Sequence, residues 1–209
     1  MQNDTDSSPT TVSPALSDEG DANSVDVELM LKVKTGDTAA FEQLVTRHQH
    51  AIVGTVVKMM GSANDAEDVA QQVFVRIWKS AHRYEPTAKF TTWMFTITRN
   101  LVFNESRKRS RRSEVSVEER EEDFHQSHAE KSSAEPDNTA LHNELVDAID
   151  ACIQSLPEKQ RMAVVLRRYE DMPYEEIGTI LDLTLPAVKS LLFRARNQMK
   201  EELQKYLDA

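Results

Sequence analysis

The sequence is poor in cysteine and glycine. Cys152 is the single cysteine among 209 residues, so no disulfide forms within the chain, and we expect a protein of a reducing compartment, the cytoplasm. We expect Cys152 itself to be a small core residue of a helix and not a reactive thiol. With five glycines and few runs of β-branched residues between turn signals, β architecture is disfavoured. The sequence therefore predicts an all-α fold.

Long apolar stretches and metal-binding spacings are also missing. No stretch approaches the roughly 20 apolar residues that cross a bilayer, and the first residues lack the basic region and apolar core of a secretory signal. The six histidines are scattered, with no spacing such as H-E-x-x-H, and no glycine-rich phosphate loop is present. We therefore expect no membrane insertion, no metal, no cofactor and no enzymatic activity.

Charge is plentiful but unevenly distributed along the chain, whose formal net charge is -10. Residues 1–28 contain seven acidic residues and no Lys or Arg, and residues 113–137 contain nine acidic residues against two basic ones. Residues 29–112, in contrast, contain fourteen basic and seven acidic residues. A basic domain between two acidic segments is able to bind nucleic acid although the whole protein is acidic.

Composition and periodicity predict two small helical domains. Residues 1–25 and 113–138 are polar, acidic and poor in large apolar residues, so we expect a disordered N-terminal tail and a flexible linker extended by its own charge. Residues 26–112 and 139–209 show apolar residues at helical spacing and form the two domains. We expect the first helix over Asp26–Thr35 and the second from Thr38 to Gly61.

The segment "NDAEDVAQQVFVRIWKSA" predicts an amphipathic helix with Asn64 as its N-cap. Glu67 follows at capping-box spacing. One stripe of small and branched residues is expected to face the core: Ala66, Val69, Ala70, Val73 and Ile77. The polar residues Asp65, Asp68, Gln71, Gln72 and Arg76 lie off this stripe. We expect a further capping box at Ser155 and Glu158, with Pro157 in the first turn of the helix that follows.

The end of the chain predicts a helix-turn-helix. "YEEIGTIL" and "LPAVKSLLFRARNQMKEEL" are two helices separated by a short turn, with Gly178 at their close approach and Thr184 as a cap. Core positions are Ile177, Ile180, Leu181, Val188, Leu191 and Leu192. Lys189, Ser190, Phe193 and Arg194 would then face the major groove of DNA. The alternative is a solvated, mixed-charge face on an ordinary helical bundle.

The segment "KFTTWMFTITRNLVFNESRKRSRR" places aromatic residues directly before a basic block. Between Arg99 and Arg112 there are six Arg or Lys residues and one acid, Glu105. Single-stranded nucleic acid is held by rings that stack on bases and by positive charges along the backbone. The alternative is that Trp93 and its neighbours are core residues and that the basic block is a solvated helix end.

A chain with a duplex reader and a single-strand reader suits a site where duplex DNA is being opened, such as a promoter. The ordered set of segments resembles the extracytoplasmic-function (ECF) group of bacterial RNA polymerase sigma factors, in the sigma-70 family. The resemblance covers roughly residues 27–112 and 139–204, as sigma region 2 and sigma region 4. It implies a protein that binds core RNA polymerase through β′ and β, recognises the promoter −35 and −10 elements and melts the −10 region. An anti-sigma factor is a frequent partner in this family.

The resemblance also implies roles by position. Polymerase docking is implied for Asp65, Glu67, Asp68, Gln71, Gln72, Phe74 and Trp78. Contact with the −10 element is implied for Phe90, Thr92, Trp93, Asn100 and Arg107. Contact with the −35 element is implied for Arg167, Lys189, Ser190, Phe193 and Arg194.

Two other functions are compatible with parts of the sequence. A helix-turn-helix regulator of duplex DNA needs no polymerase, but it leaves the Asp65–Trp78 helix and the Trp93 segment without a role. A protein-interaction adaptor would use its basic helix to dock an acidic partner instead of DNA. Binding to core polymerase, and salt-dependent binding to promoter DNA, distinguish these functions from a sigma factor.

Overall fold

Within residues 15–116 and 138–207, which the computed structural model describes, the chain forms α-helices and no strand. The first four are α1 (Ala15–Lys34), α2 (Thr38–Met60), α3 (Ala63–Ser80) and α4 (Phe90–Ser116). A short 3₁₀ turn, Ala81–Arg83, follows α3. The second four are α5 (Asn138–Ser155), α6 (Glu158–Arg168), α7 (Tyr174–Leu181) and α8 (Leu185–Leu207). The all-α expectation and the two helical domains, α1–α4 and α5–α8, are confirmed.

Local sequence sets the ends of α2 as predicted. The Asp37 side chain accepts a hydrogen bond from the Ala40 amide at 3.0 Å, which caps the first turn. At the other end Gly61 adopts φ 71°, and its N–H donates to the Val57 carbonyl. This left-handed conformation costs glycine little and ends the helix where the sequence predicts.

Helix α1 begins at Ala15, well before Asp26, so the prediction of disorder is wrong for residues 15–25. Contacts with the rest of the first domain offset the ordering entropy of this acidic segment. Asn23 accepts a hydrogen bond from the Phe90 amide at 3.0 Å, and thereby caps the start of α4. Asp26, which is buried, accepts a hydrogen bond from Arg47 at 2.7 Å. Residues 1–14 lie outside the described residues.

Three smaller expectations also differ from the structure. Helix α3 begins at Ala63 after Ser62, so Asn64 is not its N-cap. Ser155 ends α5, and its hydroxyl contacts the Cys152 carbonyl and Glu202, so Ser155 forms no capping box with Glu158. Helix α4 continues to Ser116, past the predicted domain end at residue 112. The remainder of the predicted linker up to Asp137, residues 117–137, lies outside the described residues.

The two domains pack directly on each other, which the sequence did not predict. Helix α4 contacts α7, and α2 contacts α5 and α6. The buried apolar residues of both domains form one continuous cluster. Polar contacts line the same seam, among them Lys58 to Asp150 at 2.8 Å and Thr55 to Glu170 at 3.2 Å. In the described part of the chain, no helix has both the length and the apolar character of a membrane span.

Candidate nucleic-acid and polymerase interface

Helix α3 presents a polar face opposite its buried stripe. All five predicted stripe residues, from Ala66 to Ile77, are buried. Glu67, Asp68, Gln71 and Gln72 are exposed on the other side, and Asp65 lies in the first turn of the helix. The result is an acidic and amide-rich helix surface that is open to a partner.

An apolar patch adjoins this polar face. Trp78 is 37% exposed and its ring lies 5.1 Å from the ring of Phe41. Val75, which the sequence reasoning did not select, is 50% exposed, whereas Phe74 is half-buried against the core. An exposed ring beside polar side chains is the typical composition of a protein-binding surface. Val75 lies between Phe74 and Trp78 in the sequence, but a single valine in a helix does not by itself indicate a binding residue.

The start of α4 is enclosed. Phe90 is 1% exposed, with its ring 5.2 Å from the His48 ring and 6.0 Å from the Trp93 ring. It therefore offers no open face to a base and is a core residue of the first domain, because its own helix and α2 surround it. Trp93 is half-buried, with its ring edge-on to Tyr84 at 5.1 Å. Of the two, Trp93 is the ring that remains partly accessible.

Thr92 is also buried, and it lies at the seam with the second domain. Its hydroxyl donates a hydrogen bond to Glu176 Oε2 at 2.9 Å, across the seam between α4 and α7. Glu176 Oε1 lies 2.9 Å from Lys89 Nζ. One carboxylate of the helix-turn-helix thus engages two side chains at the predicted −10 surface. Sequence reasoning missed Lys89 and Glu176, since the two segments that meet here are far apart in the chain.

Further along α4 the basic residues become accessible. Asn100 and Arg107 are exposed, and Lys108 pairs with Glu105 at 3.1 Å. A cleft of about 280 Å³ between α3 and α4 is lined by Val69, Gln72, Leu101, Asn104, Glu105, Arg107, Lys108 and Arg111. It brings together Gln72, predicted to dock polymerase, and Arg107, predicted to contact DNA. Asn104 and Arg111 are additional polar groups that the sequence reasoning did not single out.

The helix-turn-helix has the predicted geometry. The six predicted core residues, from Ile177 to Leu192, are all buried. A Cβ added at Gly178 would lie 2.8 Å from the Leu183 carbonyl oxygen, so the turn needs a residue without a side chain there. The Gly178 carbonyl accepts a hydrogen bond from the Leu183 amide at 2.9 Å, and the Thr184 carbonyl accepts one from the Val188 amide. The turn is therefore fixed by backbone contacts.

The outer face of α8 is open. Lys189, Ser190, Phe193 and Arg194 are exposed, and Phe193 reaches 63% exposure. A large ring that solvent surrounds on a surface helix, beside two cations, is a feature of a binding face. All four side chains thus lie on the exposed face of α8.

Arg167 is arranged differently from the other predicted −35 residues. Its guanidinium donates to Asp171 Oδ1 at 2.9 Å and to the Met172 carbonyl at 3.1 Å, and it lies 5.8 Å from the Tyr174 ring centroid. These contacts hold the loop before α7, where Asp171 has a positive φ of 49°. Arg167 therefore supports the helix-turn-helix from within the same domain.

A cavity of about 260 Å³ lies at the seam and is lined by charged groups of both domains, including Asp26, Lys89, Glu170 and Glu176. Burial raises the pKa of Glu170, and its contacts with Thr55 and His48 offset this only in part. Burial also acts to raise the pKa of Asp26, but His48 and Arg47 outweigh it, so that this pKa falls below its usual range. The two carboxyl groups of one cavity are thus shifted in opposite directions.

Cys152 is buried, as expected. Burial raises the pKa of its thiol to about 12, and the neighbouring Glu202 adds to the shift. A thiol with such a pKa is a poor nucleophile at neutral pH. Among the described residues there is no group of three or more His, Cys, Asp or Glu side chains arranged to hold a metal ion.

Comparison with known proteins gives consistent likenesses. The chain matches the family models "Sigma-70 region 2" over residues 44–112 and "Sigma-70, region 4" over residues 147–199. It is 35% identical over 185 residues to the RNA polymerase sigma-H factor of Pseudomonas aeruginosa, covering 87% of this chain and 95% of that protein. It is 34% identical over 182 residues to the ECF RNA polymerase sigma-E factor of Escherichia coli K12, covering 86% and 94%.

Solved structures share the fold. CnrH, solved in complex with the cytosolic domain of CnrY, matches with a TM-score of 0.63 at 23% identity, over 87% of this chain and 98% of that chain. The sigma factor RpoE of Bartonella quintana, solved with the anti-sigma factor NepR, matches with a TM-score of 0.62 at 24% identity, over 78% and 96%. The two-domain helical architecture is therefore one already seen in solved proteins.

Proposed function

The chain belongs to the ECF group of sigma-70 factors and directs promoter-specific transcription by RNA polymerase, and from that premise we propose which surface performs each step. The observation that carries the assignment is the order of three surfaces along the chain. A polar helix face with an exposed tryptophan comes first, an aromatic and basic helix second, and an open recognition helix last. A sigma factor needs a docking surface, a strand opener and a duplex reader.

Docking to core polymerase falls to α3. Glu67, Asp68, Gln71 and Gln72 supply a polar rim, and Trp78 supplies the apolar anchor. Asp65 belongs to the same helix, at its first turn. Phe74, which is half-buried, packs against the core at the same helix, and the ring that contacts Trp78 is that of Phe41.

Recognition and opening of the −10 element fall to α4. Trp93 stacks on an unpaired base, and Asn100 and Arg107 contact the strand. Arg107 also lines the cleft between α3 and α4. Thr92 joins them once Glu176 has moved away. Phe90 holds the start of this helix in place.

Recognition of the −35 element falls to α8. Lys189, Ser190 and Arg194 contact base edges or phosphates, and Phe193 contacts a thymine methyl group. Arg167 holds the loop that orients α7.

The partners follow from these roles: core polymerase through β′ and β, and promoter DNA. The RpoE structure contains an anti-sigma factor, and we include such a factor among the candidate partners of this chain. Core polymerase works on the chromosome, so the chain acts in the cytoplasm. The chemistry of RNA synthesis belongs to the polymerase, and we assign no catalytic residue to this chain.

The test is transcription in vitro with purified core polymerase on a library of genomic fragments, with and without the chain. We expect discrete start sites that require the chain. Asp68→Lys should weaken core binding in a pull-down and reduce transcription in proportion, because it reverses a charge on the docking face. Glu201→Lys, an equal charge reversal at an exposed position of α8, is the control. Binding of duplex DNA without any dependence on core polymerase would instead favour the helix-turn-helix regulator.

A further inference from the structure

Helix α3 carries a row of polar and cationic side chains beside its docking residues. The row repeats the spacing i, i+4, i+7 and i+11, which places its members on one face of a helix. All four are exposed: Gln72, Arg76, Lys79 and Arg83. Arg83 ends the short 3₁₀ turn that follows α3. We call these four residues the cationic stripe.

The cationic stripe lies on a different side of α3 from the docking residues that share its spacing. Those docking residues are Glu67, Gln71, Phe74 and Trp78. They begin five residues earlier in the chain, which rotates them by about 140° around the helix axis at about 100° per residue. Their row contains an acid and two rings, whereas the cationic stripe contains neither. Gln72 is the member of the stripe that the docking role proposed above also uses.

Both ends of the cationic stripe adjoin the surface of α4 that we assign to the −10 element. At one end Gln72 lines the cleft of about 280 Å³ together with Arg107. At the other end Arg83 is followed by Tyr84, whose ring lies 5.1 Å from the Trp93 ring. The middle of the stripe lies between these two points. The stripe therefore runs beside α4 from its basic part to its aromatic start.

No acidic side chain neutralises the stripe within the described part of the chain. The ion pairs there engage other cations, and none includes Arg76, Lys79 or Arg83. Arg83 Nε instead donates to His82 Nε2 at 3.1 Å, and His82 Nδ1 lies 3.0 Å from the Lys79 carbonyl oxygen. Because arginine only donates, Nε2 of the neutral ring accepts and Nδ1 carries the proton. These contacts hold Arg83 at the end of the stripe and leave its charge uncompensated.

The helix dipole accounts for one of these cations. Lys79 lies in the last turn of α3, where any cation is favoured. Arg76 lies about one turn earlier, and Arg83 lies beyond the end of the helix. A solvated helix end therefore explains Lys79 but not the whole stripe.

The strand-opening surface of α4 has little accessible positive charge over much of its length. Arg107 lies about 21 Å beyond Trp93 along the helix, at about 1.5 Å per residue. The cation between them, Arg99, is half-buried, with its guanidinium 5.9 Å from the Phe103 ring centroid. A strand stacked on Trp93 needs cations along its backbone, because phosphate neutralisation supplies a large share of the affinity. The cationic stripe borders α4 over this interval.

We propose that the cationic stripe is the second wall of the −10 groove. Arg76, Lys79 and Arg83 contact the phosphates of the unpaired strand whose bases meet Trp93 and Asn100 on α4. Helix α3 then serves both partners of the chain, polymerase on its docking side and DNA on the side that borders α4. This inference rests on the −10 role proposed above for α4.

An acidic surface of core polymerase is the other anion that such a stripe fits, since the docking residues lie on the same helix. The placement favours DNA, because both ends of the stripe meet α4 and the docking residues point about 140° away. Polymerase binding and DNA binding, measured independently, separate the two.

The experiment uses holoenzyme assembled from the full chain and core polymerase. The probe is a labelled fork template without a −35 element, single-stranded on the non-template strand across the −10 element of a promoter found in the transcription test. Anisotropy gives its affinity over a range of salt concentrations, with polymerase present well above its dissociation constant. A pull-down measures the affinity of each variant for core polymerase, and thermal melting identifies any variant that fails to fold.

Arg76→Gln with Lys79→Gln should weaken probe binding roughly 25-fold at about 0.1 M salt and lower the salt slope by about 1.4, since each phosphate contact to a single strand contributes about 0.7 to that slope. Polymerase affinity and melting temperature should stay as in wild type. Lys159→Gln with Lys200→Gln is the matched control, because it removes the same charge from exposed positions of the second domain. It should change neither the affinity for the probe nor the slope.

A single neutral methylphosphonate in the probe identifies the contacted phosphate. At that phosphate it should weaken binding of the wild-type chain but not of Arg76→Gln, because the variant has already lost the partner. Additive losses at every position of the −10 strand would overturn the contact.

Wild-type probe affinity and salt slope in the folded double variant would also overturn the proposal. Loss of polymerase affinity with undiminished probe binding at saturating polymerase would place the stripe against polymerase instead. Arg107→Gln tests the premise in the same assay. If it weakens binding where the double variant does not, only the stripe is wrong; if neither variant weakens binding, the −10 role of α4 is wrong as well. Transcription by the wild-type chain decides the sigma-factor function separately.

Discussion

The two surfaces assigned to DNA differ in how they are presented. The outer face of α8 is open, with Lys189, Phe193 and Arg194 exposed to solvent. The start of α4 is closed, since Thr92 is buried and its hydroxyl donates a hydrogen bond to Glu176. The helix-turn-helix domain thus exposes the outer face of its own α8 and packs over the start of α4 in the first domain.

The difference matches what each surface has to recognise. A duplex reader contacts base edges and phosphates that are present before any DNA opens, so its surface is useful at once. A strand opener contacts bases that are unpaired only after opening, and flipping each base costs a few kcal/mol. These contacts are needed only after the duplex has opened, so covering them in the free chain does not weaken the earlier contacts with duplex DNA.

The largest effect is expected at the turn that builds the open surface. Gly178→Ala brings a Cβ to 2.8 Å from the Leu183 carbonyl oxygen. Because the atom that the Cβ meets belongs to the backbone, the strain lies at the upper end of the usual range, about 3 kcal/mol, and the better helix propensity of alanine returns about 1 kcal/mol. We expect a net loss of about 2 kcal/mol in the free energy of unfolding, together with loss of the −35 footprint.

The control for that change is Gly54→Ala in α2, where an added Cβ meets nothing within 4 Å. It should stabilise the chain by up to about 1 kcal/mol. Thermal melting and DNase footprinting on one promoter measure both variants. If Gly178→Ala keeps its stability and its footprint, the turn does not set the geometry of the open surface.

The next effect separates two arginines of the second domain. Arg194→Ala removes an exposed cation from the recognition face, and should cost about 1.5 kcal/mol of −35 binding and relax base preference at one position. Arg167→Ala removes a guanidinium that holds the Asp171 loop. It should lower the melting temperature while base preference stays as in wild type. Binding to a promoter library randomised over the −35 element, together with thermal melting, tests both variants. If Arg167→Ala changes base preference and Arg194→Ala only lowers the melting temperature, the two roles are assigned the wrong way round.

A smaller effect is expected at the seam that closes the other surface. Burial raises the pKa of Glu170, so its contribution to stability is full below its ordinary pKa of 4.5 and is lost as pH rises through the folded-state value. Glu170→Gln keeps an acceptor for the Thr55 hydroxyl and removes the buried charge. We expect a gain of less than about 1 kcal/mol at pH 8 and none at pH 4.

The melting temperatures of variant and wild type are compared at each pH, so that the titration of Asp26 in the same cavity largely cancels. An advantage of Glu170→Gln that is larger at pH 4 than at pH 8 would mean that the Glu170 carboxyl is more stable as an anion in the seam.

The sequence was informative where a structure depends on near neighbours in the chain. The ends of α2, the buried stripe of α3 and the helix-turn-helix core all follow from caps and 3.6-residue periodicity. The exposed residues of α8 follow in the same way, because they are the complement of that core. The open surface was therefore predictable residue by residue.

The closed surface was not predictable, because distant segments build it. Asn23 caps α4 from a segment whose composition predicted disorder, and Glu176 covers Thr92 from the other domain. Phe90 was selected for its type, but its neighbours His48 and Trp93 place it in the core. No local sequence pattern indicates these pairings, because residues that are distant in the chain form them.

The most direct test of the account is permanganate reactivity of the −10 thymines on duplex and on pre-melted bubble templates, with core polymerase and Trp93→Ala. We predict near-normal core binding, a melting temperature lowered by the lost ring contact with Tyr84, reactivity that is lost or slowed on the duplex, and near wild-type reactivity on the bubble, because the cost of opening has already been met there. Phe90→Leu, a change in the core, should lower the melting temperature and affect both templates alike. If Trp93→Ala behaves as Phe90→Leu does, Trp93 is a packing residue and α4 does not open the promoter in the way described.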